Sequence, residues 1–117
     1  QAQTKDETID WLKENLKFEP TEYSEFNGFS LGFIDECSFE IRVRHQSGSM
    51  HLFVVPLNGL KIKYDGEMEF SRDAIKWIIF KTRKSSYIDR STFFKIKDRG
   101  YDEYREKFKH LAGFCNK

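Results

Sequence analysis

Hydrophobic residues recur at helical intervals near the start of the chain. Ile9, Leu12 and Leu16 fall on one stripe, as they do in an amphipathic helix. Thr4 and Glu7 have the spacing of a capping box, in which each side chain accepts a hydrogen bond from the backbone of the other residue. The pattern therefore predicts an N-terminal helix over about residues 4–18.

A second stripe of helical spacing lies at the other end of the chain. Its apolar positions are Tyr101, Tyr104, Phe108, Leu111, Ala112 and Cys115. Acidic residues occupy its first turn and basic residues its last turn, which complements the helix dipole. We expect a C-terminal helix over about residues 101–115, with Phe108 on the buried stripe and Lys109 off it.

Between the helices the hydrophobic period changes to two, which is typical of strands with one buried face. Turns are predicted at Asp35-Glu36, at Ser47-Gly48 and at Asp65-Gly66, because these residue types favour tight turns. The alternation predicts about seven antiparallel strands between about residues 29 and 97.

The segments after the Asp65-Gly66 turn are less regular. Residues 74–82 are rich in β-branched and aromatic residues, which predicts a strand covered on both faces. The polar run of residues 83–91 is expected to be a loop, and residues 92–97 a last strand.

This order of elements indicates an α+β fold in a single domain of residues 1–117. Open strand edges and an amphipathic helix both need cover. We therefore expect the strands to curl into a partly open barrel or sandwich capped by the C-terminal helix, which would face Phe39, Ile41 and Trp77.

Composition narrows the class of protein. Aromatic residues make up 16% of the 117 residues, which suits a small β-rich core. The 20 basic and 19 acidic residues leave no broad field, so a nucleic-acid partner is not expected. The apolar runs are far shorter than the roughly 20 residues of a membrane span, so no transmembrane segment is expected.

The order of helix, meandering strands and final helix resembles the pleckstrin-homology-like fold over roughly residues 29–115, with an additional helix at the front. The last helix departs from that family, because Tyr104 and Phe108 stand where a tryptophan is usual. Arg42-Val43-Arg44 resembles the basic strand with which some of these domains bind inositol phosphates, but the matching upstream lysine is missing. The resemblance therefore implies the fold without the phosphate site.

A second resemblance lies in short segments of the amino-acid sequence. These are Gln1-Ala2-Gln3-Thr4, Asp35-Glu36-Cys37, Pro56-Leu57 followed by Leu60-Lys61, and Phe108-Lys109-His110-Leu111 with Cys115. They are similar to small uncharacterised secreted proteins of gut-dwelling Gram-negative bacteria. The resemblance implies a signal peptide removed before Gln1 and a periplasmic or secreted location; a terminus made by cloning is the alternative.

Two interpretations are open for Cys37 and Cys115. Both fall at inward positions of their predicted elements, so they are either small buried hydrophobic residues or the two halves of one disulfide. A bridge would join the last helix to the sheet. There is no CxxC motif, so a zinc or dithiol site has little support.

The hairpin histidines depend on the length of their loop. A three-residue loop, Ser47–Ser49, would place His45 opposite His51, whereas a two-residue loop, Ser47-Gly48, would place His51 opposite Arg44. The second register buries better aliphatic pairs, and we therefore expect exposed histidines and no metal site.

No motif for nucleotide, phosphate, acyl or metal chemistry occurs in the sequence, so no catalytic residue and no cofactor is predicted. One surface stands out as a candidate for a ligand or partner. It comprises Arg83, Lys84, Tyr87, Arg90, Lys95 and Lys97.

We expect an exported, non-catalytic binding module for a protein, peptide or glycan, with strand addition at a sheet edge as one mode. One alternative is a small enzyme with a cavity lined by His45, Tyr64 or Tyr87. The other alternative is a binder of anions or lipid headgroups.

Overall fold

A computed structural model describes residues 3–22, 24–97 and 99–115. Its helices are α1 (Lys5–Asn15) and α2 (Tyr101–Ala112). Its strands are β1 (Phe18–Pro20), β2 (Phe26–Ile34), β3 (Ser38–His45), β4 (Met50–Pro56), β5 (Lys61–Ile62), β6 (Met68–Glu69), β7 (Ile75–Ile79), β8 (Lys84–Ile88) and β9 (Phe94–Ile96).

Helix α1 begins with the predicted capping box. The Thr4 hydroxyl accepts a hydrogen bond from the Glu7 backbone N–H at 3.1 Å, and the Glu7 carboxylate accepts one from the Thr4 N–H at 2.9 Å. The helix is shorter than predicted because Leu16 already has an extended backbone and the chain then enters β1.

The main sheet has five antiparallel strands in the order β2-β3-β4-β7-β8, and the pairs β1-β9 and β5-β6 form two small sheets. The α+β class is thereby confirmed. The described residues form nine strands rather than about seven, and the main sheet does not close into a barrel, because β9 pairs with β1 instead of returning to the sheet.

Two predictions for residues 74–91 are wrong. The run of residues 83–91 is not a loop, since Lys84–Ile88 forms β8 and pairs with β7 over its whole length. Its side chains are mostly exposed on both faces, so no alternation marked it as a strand. Strand β7 is not covered on both faces, because only Ile75 is buried and the rest of the strand is half-buried.

Helix α2 packs with the predicted stripe inward. Tyr104, Phe108 and Leu111 are buried, and the Phe108 ring stacks on Phe39 with centroids 5.4 Å apart. The Tyr104 hydroxyl donates to the Asn15 carbonyl oxygen at 2.8 Å, which links α2 to α1. The helix therefore covers the Phe39 region of the core.

Trp77 does not face α2 as predicted. Its ring stacks on Phe53 at 5.7 Å and contacts Phe26 and Phe93 at 6.2 and 5.1 Å. These rings form a second part of the same hydrophobic core, so aromatic residues fill the interior that a barrel cavity would need.

A disulfide joins Cys37 and Cys115, whose Cα atoms are 5.1 Å apart. Cys37 lies in the turn between β2 and β3, where the Asp35 carboxylate accepts hydrogen bonds from the backbone N–H groups of Cys37 and Ser38 at 2.8 and 2.9 Å. The end of α2 is thereby tied to a fixed turn of the sheet.

Candidate functional site

Strand β8 is one edge of the main sheet. It pairs with β7 in five consecutive register pairs without a shift, and it has no partner strand on its other side among the described residues. A regular edge of this kind offers backbone groups to an added strand.

The other edge, β2, is interrupted. Its register with β3 shifts between Asn27 and Ser30 and again between Leu31 and Ile34, and β1 packs beside it. Bulges of this kind blunt an edge against further pairing. Strand β8 is therefore the edge at which the sheet can grow.

The direction of the free backbone groups on β8 follows from the ladder. The Leu57 N–H donates to the Cys37 carbonyl, and the Phe80 N–H donates to the Met50 carbonyl. Backbone N–H and C=O groups alternate in direction along an antiparallel strand, so even-numbered residues of β7 direct theirs to β4 and odd-numbered residues direct theirs to β8. The register places the odd-numbered residues of β7 opposite the even-numbered residues of β8. The backbone groups of the even-numbered residues of β8 therefore face β7. The N–H and C=O groups of Ser85 and Tyr87 therefore face the open side.

Positive charge surrounds this edge. Residues 81–90 contain four basic residues, Lys81, Arg83, Lys84 and Arg90, and one acidic residue, Asp89. Asp89 pairs with Arg90 at 3.4 Å, and the Asp89 carbonyl accepts from the Phe70 N–H at 2.8 Å. The backbone of the edge is therefore already hydrogen-bonded at Asp89, and the unpaired part before Asp89 is surrounded by basic side chains.

Tyr87 adds an aromatic surface to the edge. Its side chain is 56% exposed, and it lies opposite Lys76 on the neighbouring strand. Arg83, which directly precedes the strand, has a positive φ of 58° and closes the tight turn from β7. The turn therefore presents Arg83 and Lys84 beside the first free backbone groups.

The structure divides the predicted candidate surface into two parts. Arg83, Lys84, Tyr87 and Arg90 lie on β8 or next to one of its ends, whereas Lys95 and Lys97 belong to β9 or follow it directly. The second part lines a separate pocket of about 480 Å³ that also contains Glu19, Tyr64, Asp65, Arg99 and Tyr101. The β8 group alone forms the candidate site.

The predicted histidine arrangement is wrong. The His45 N–H donates to the Ser49 carbonyl oxygen at 2.8 Å, so the hairpin loop is residues 46–48. This loop places His51 opposite Val43, which is neither of the two expected registers. His51 is buried rather than exposed, and its ring stacks on that of His45 with centroids 5.4 Å apart. The register puts His51 on the core face, where Trp77 supplies a hydrogen bond that makes burial tolerable.

That hydrogen bond fixes the state of the ring. The Trp77 indole N–H donates to His51 Nδ1 at 2.9 Å, so the proton of neutral His51 is on Nε2, which lies 3.0 Å from the Ser49 hydroxyl. Burial lowers the pKa of His51, and the neighbouring His45 lowers it further. The described residues contain no group of three or more potential metal ligands.

The three residues proposed for a catalytic cavity do not meet. His45 lies at the β3–β4 hairpin, Tyr64 lines the pocket beside β9, and Tyr87 lies on the β8 edge. Sequence patterns missed Ser85, because a serine on an exposed strand carries no signal until the pairing of the strand is known.

No protein-family model, curated protein or solved structure matches the chain. No helix within the described ranges is long and apolar enough to cross a membrane.

Proposed function

We propose that this protein is an exported, non-catalytic binding module that takes an extended acidic peptide as an additional strand along β8. The observation that carries the proposal is the regular open edge, with the free backbone groups of Ser85 and Tyr87 on one side. Each pair of groups can exchange two hydrogen bonds with an antiparallel peptide.

Charge selects the class of peptide. The cations near the edge favour a partner with carboxylates, because complementary charge raises both the encounter rate and the specificity of binding. The same charge disfavours pairing of two copies of this chain edge to edge, since both edges would be cationic. The Tyr87 ring offers a neighbouring apolar contact for one side chain of the peptide.

Strand addition is tested with a fluorescein-labelled octapeptide in which Glu and Val alternate, measured by fluorescence anisotropy. Ser85→Pro removes one outward N–H and leaves the ladder to β7 intact, so affinity should fall about tenfold. Ser85→Thr keeps the N–H and should bind like the wild type. A peptide methylated at every backbone nitrogen has no N–H donor on either edge, so it should bind weakly although the charge of its side chains is unchanged.

Equal binding of the methylated peptide, or of the Ser85→Pro variant, would contradict strand addition.

The charge preference is tested with Lys84→Glu, which should weaken binding of the acidic peptide and strengthen binding of its Lys–Val counterpart. Lys13→Glu, on the exposed face of α1, is the matched control and should change neither affinity. Sedimentation of the free protein shows whether a second copy occupies the edge instead.

Export is supported by the Cys37–Cys115 disulfide, because such bonds persist in oxidising compartments. Cell fractionation tests it, with the protein expected in the periplasm or medium.

A pleckstrin-homology-like origin is supported by the order of antiparallel strands followed by a helix that packs on the sheet. In that interpretation β8 is an elaboration of the meander that serves a peptide rather than a phosphate.

A further inference from the structure

A second concavity lies away from β8, between the turn of residues 57–62 and helix α2. It is a groove of about 640 Å³, which is within the usual size of small-molecule sites. Its floor and walls include the apolar side chains of Leu60, Ile62, Phe108 and Ala112. The apolar part of a small ligand would therefore be well accommodated there.

The rim of the groove carries charge of one sign. Lys61, Arg105 and Lys109 line it, and none of the described acidic residues does. Lys109 is exposed and has no ion-pair partner in the part of the chain that the structure describes. An anionic group placed at this rim would gain a charge-assisted contact without displacing an existing one.

Arg105 is already oriented at the rim. Its Nε and Nη2 donate to the Ile62 carbonyl oxygen at 3.2 and 2.6 Å, and its Nη1 donates to the Asp102 carboxylate at 2.6 Å. These bonds use three of the five N–H donors of a guanidinium and leave one on each Nη. These remaining N–H groups are available to the carboxylate of a ligand, which would accept a charge-assisted hydrogen bond from the guanidinium.

We propose that this groove binds small monocarboxylates with an apolar body, such as short-chain fatty acids or aryl-alkanoates. The apolar body lies on Leu60 and Ala112, which are the half-buried apolar residues of the lining, and the carboxylate binds Arg105 and Lys109. This site is independent of the peptide edge, because no residue of β8 lines the groove.

The test uses hexanoate and phenylbutyrate, each against its neutral primary amide, with chemical shifts of the backbone amides as the readout. Titration of either carboxylate should shift residues 57–62 and 105–113 and leave Ser85 and Tyr87 unchanged, and the amides should bind at least about tenfold more weakly. Equal binding of the amides, or no shift at the groove with either carboxylate, would overturn the proposal.

Two variants separate the site from general charge. Lys109→Ala should weaken the carboxylates about three- to tenfold without a change in melting temperature, because Lys109 is exposed and off the buried stripe. Lys13→Ala, a matched lysine on α1, should leave the affinity unchanged. An equal loss in both variants would mean that only the overall charge attracts the anion, and would refute the site.

Discussion

His51 shows how a polar side chain is held in an aromatic environment. Its two ring nitrogens contact the Trp77 N–H and the Ser49 hydroxyl, and the Phe26 ring packs beside it at 5.0 Å. A buried polar group costs little when its hydrogen bonds are made and much when one is lost. The neutral ring is therefore the form that this fold requires.

Acid should destabilise the protein through His51. Its folded-state pKa is lowered by burial and by His45, so below about pH 6.5 the unfolded chain binds a proton that the folded chain resists. The contribution is fully present above that pH and is lost as the pH falls towards the folded-state pKa. Urea unfolding should give a lower free energy at about pH 5.5 than at about pH 7.5.

The variant His51→Phe isolates that effect. It removes the titrating ring, so the fall in unfolding free energy between the two pH values should become smaller, although the protein is less stable throughout because the Trp77 N–H loses its acceptor. Phe108→Leu, a core substitution on α2 that removes no titratable group, is the control and should keep the wild-type pH dependence although it lowers the stability. An unchanged dependence in His51→Phe would contradict the assignment.

Helix α2 is the element on which the packing of the core depends most clearly. Phe108 is 3% exposed and stacks on Phe39, while Lys109, the next residue, is exposed. Phe108→Ala should lower the free energy of unfolding by about 3–5 kcal/mol, because the truncated ring leaves a cavity. Lys109→Ala should leave it nearly unchanged, and thermal melts of the two variants distinguish them. Equal midpoints would mean that the helix is not docked.

The two kinds of element differ in how far the sequence alone predicts them. Helix α2 and the capping box of α1 were predictable because each has a buried stripe or a fixed pair of spacings. Strand β8 was not, because Lys84 and Ser85 are exposed and nothing selects a hydrophobic period there. The candidate site shares that difficulty: the charges of Arg83 and Lys84 are readable in the sequence, but the outward N–H of Ser85 depends on its pairing with β7.

The His51 register failed for a related reason. The prediction compared aliphatic pairs across the hairpin, whereas the structure places His51 opposite Val43 and pairs Ile41 with Phe53. In that register His51 accepts a hydrogen bond from Trp77, which is 26 residues away in sequence. Pairwise reasoning within a hairpin cannot include such a partner, because tertiary context overrides local preference in strands.

On the scale of the molecule, the disulfide lies close to one of the two proposed sites and far from the other. The Cys37–Cys115 bond fixes the end of α2 to the turn between β2 and β3. The groove uses α2 as one wall, so it lies close to that bond. Strand β8 lies at the opposite edge of the five-stranded sheet, three strands beyond β3. Loss of the bond should therefore affect the two sites unequally.

The double variant Cys37→Ser with Cys115→Ser tests this arrangement. The bond closes a sequence separation of 78 residues, for which the chain-entropy model gives about 4–5 kcal/mol, and measured losses in small domains are about 2–5 kcal/mol. Urea unfolding should show a loss in that range, and reduction of the wild type should reproduce it.

Under conditions where the variant remains folded, hexanoate should bind more weakly because the end of α2 is no longer fixed, while the acidic peptide should bind β8 with nearly its original affinity. Equal weakening at both sites would show that the bond stabilises the whole sheet rather than the groove wall, and unchanged stability would show that α2 is held by its packing on Phe39 alone.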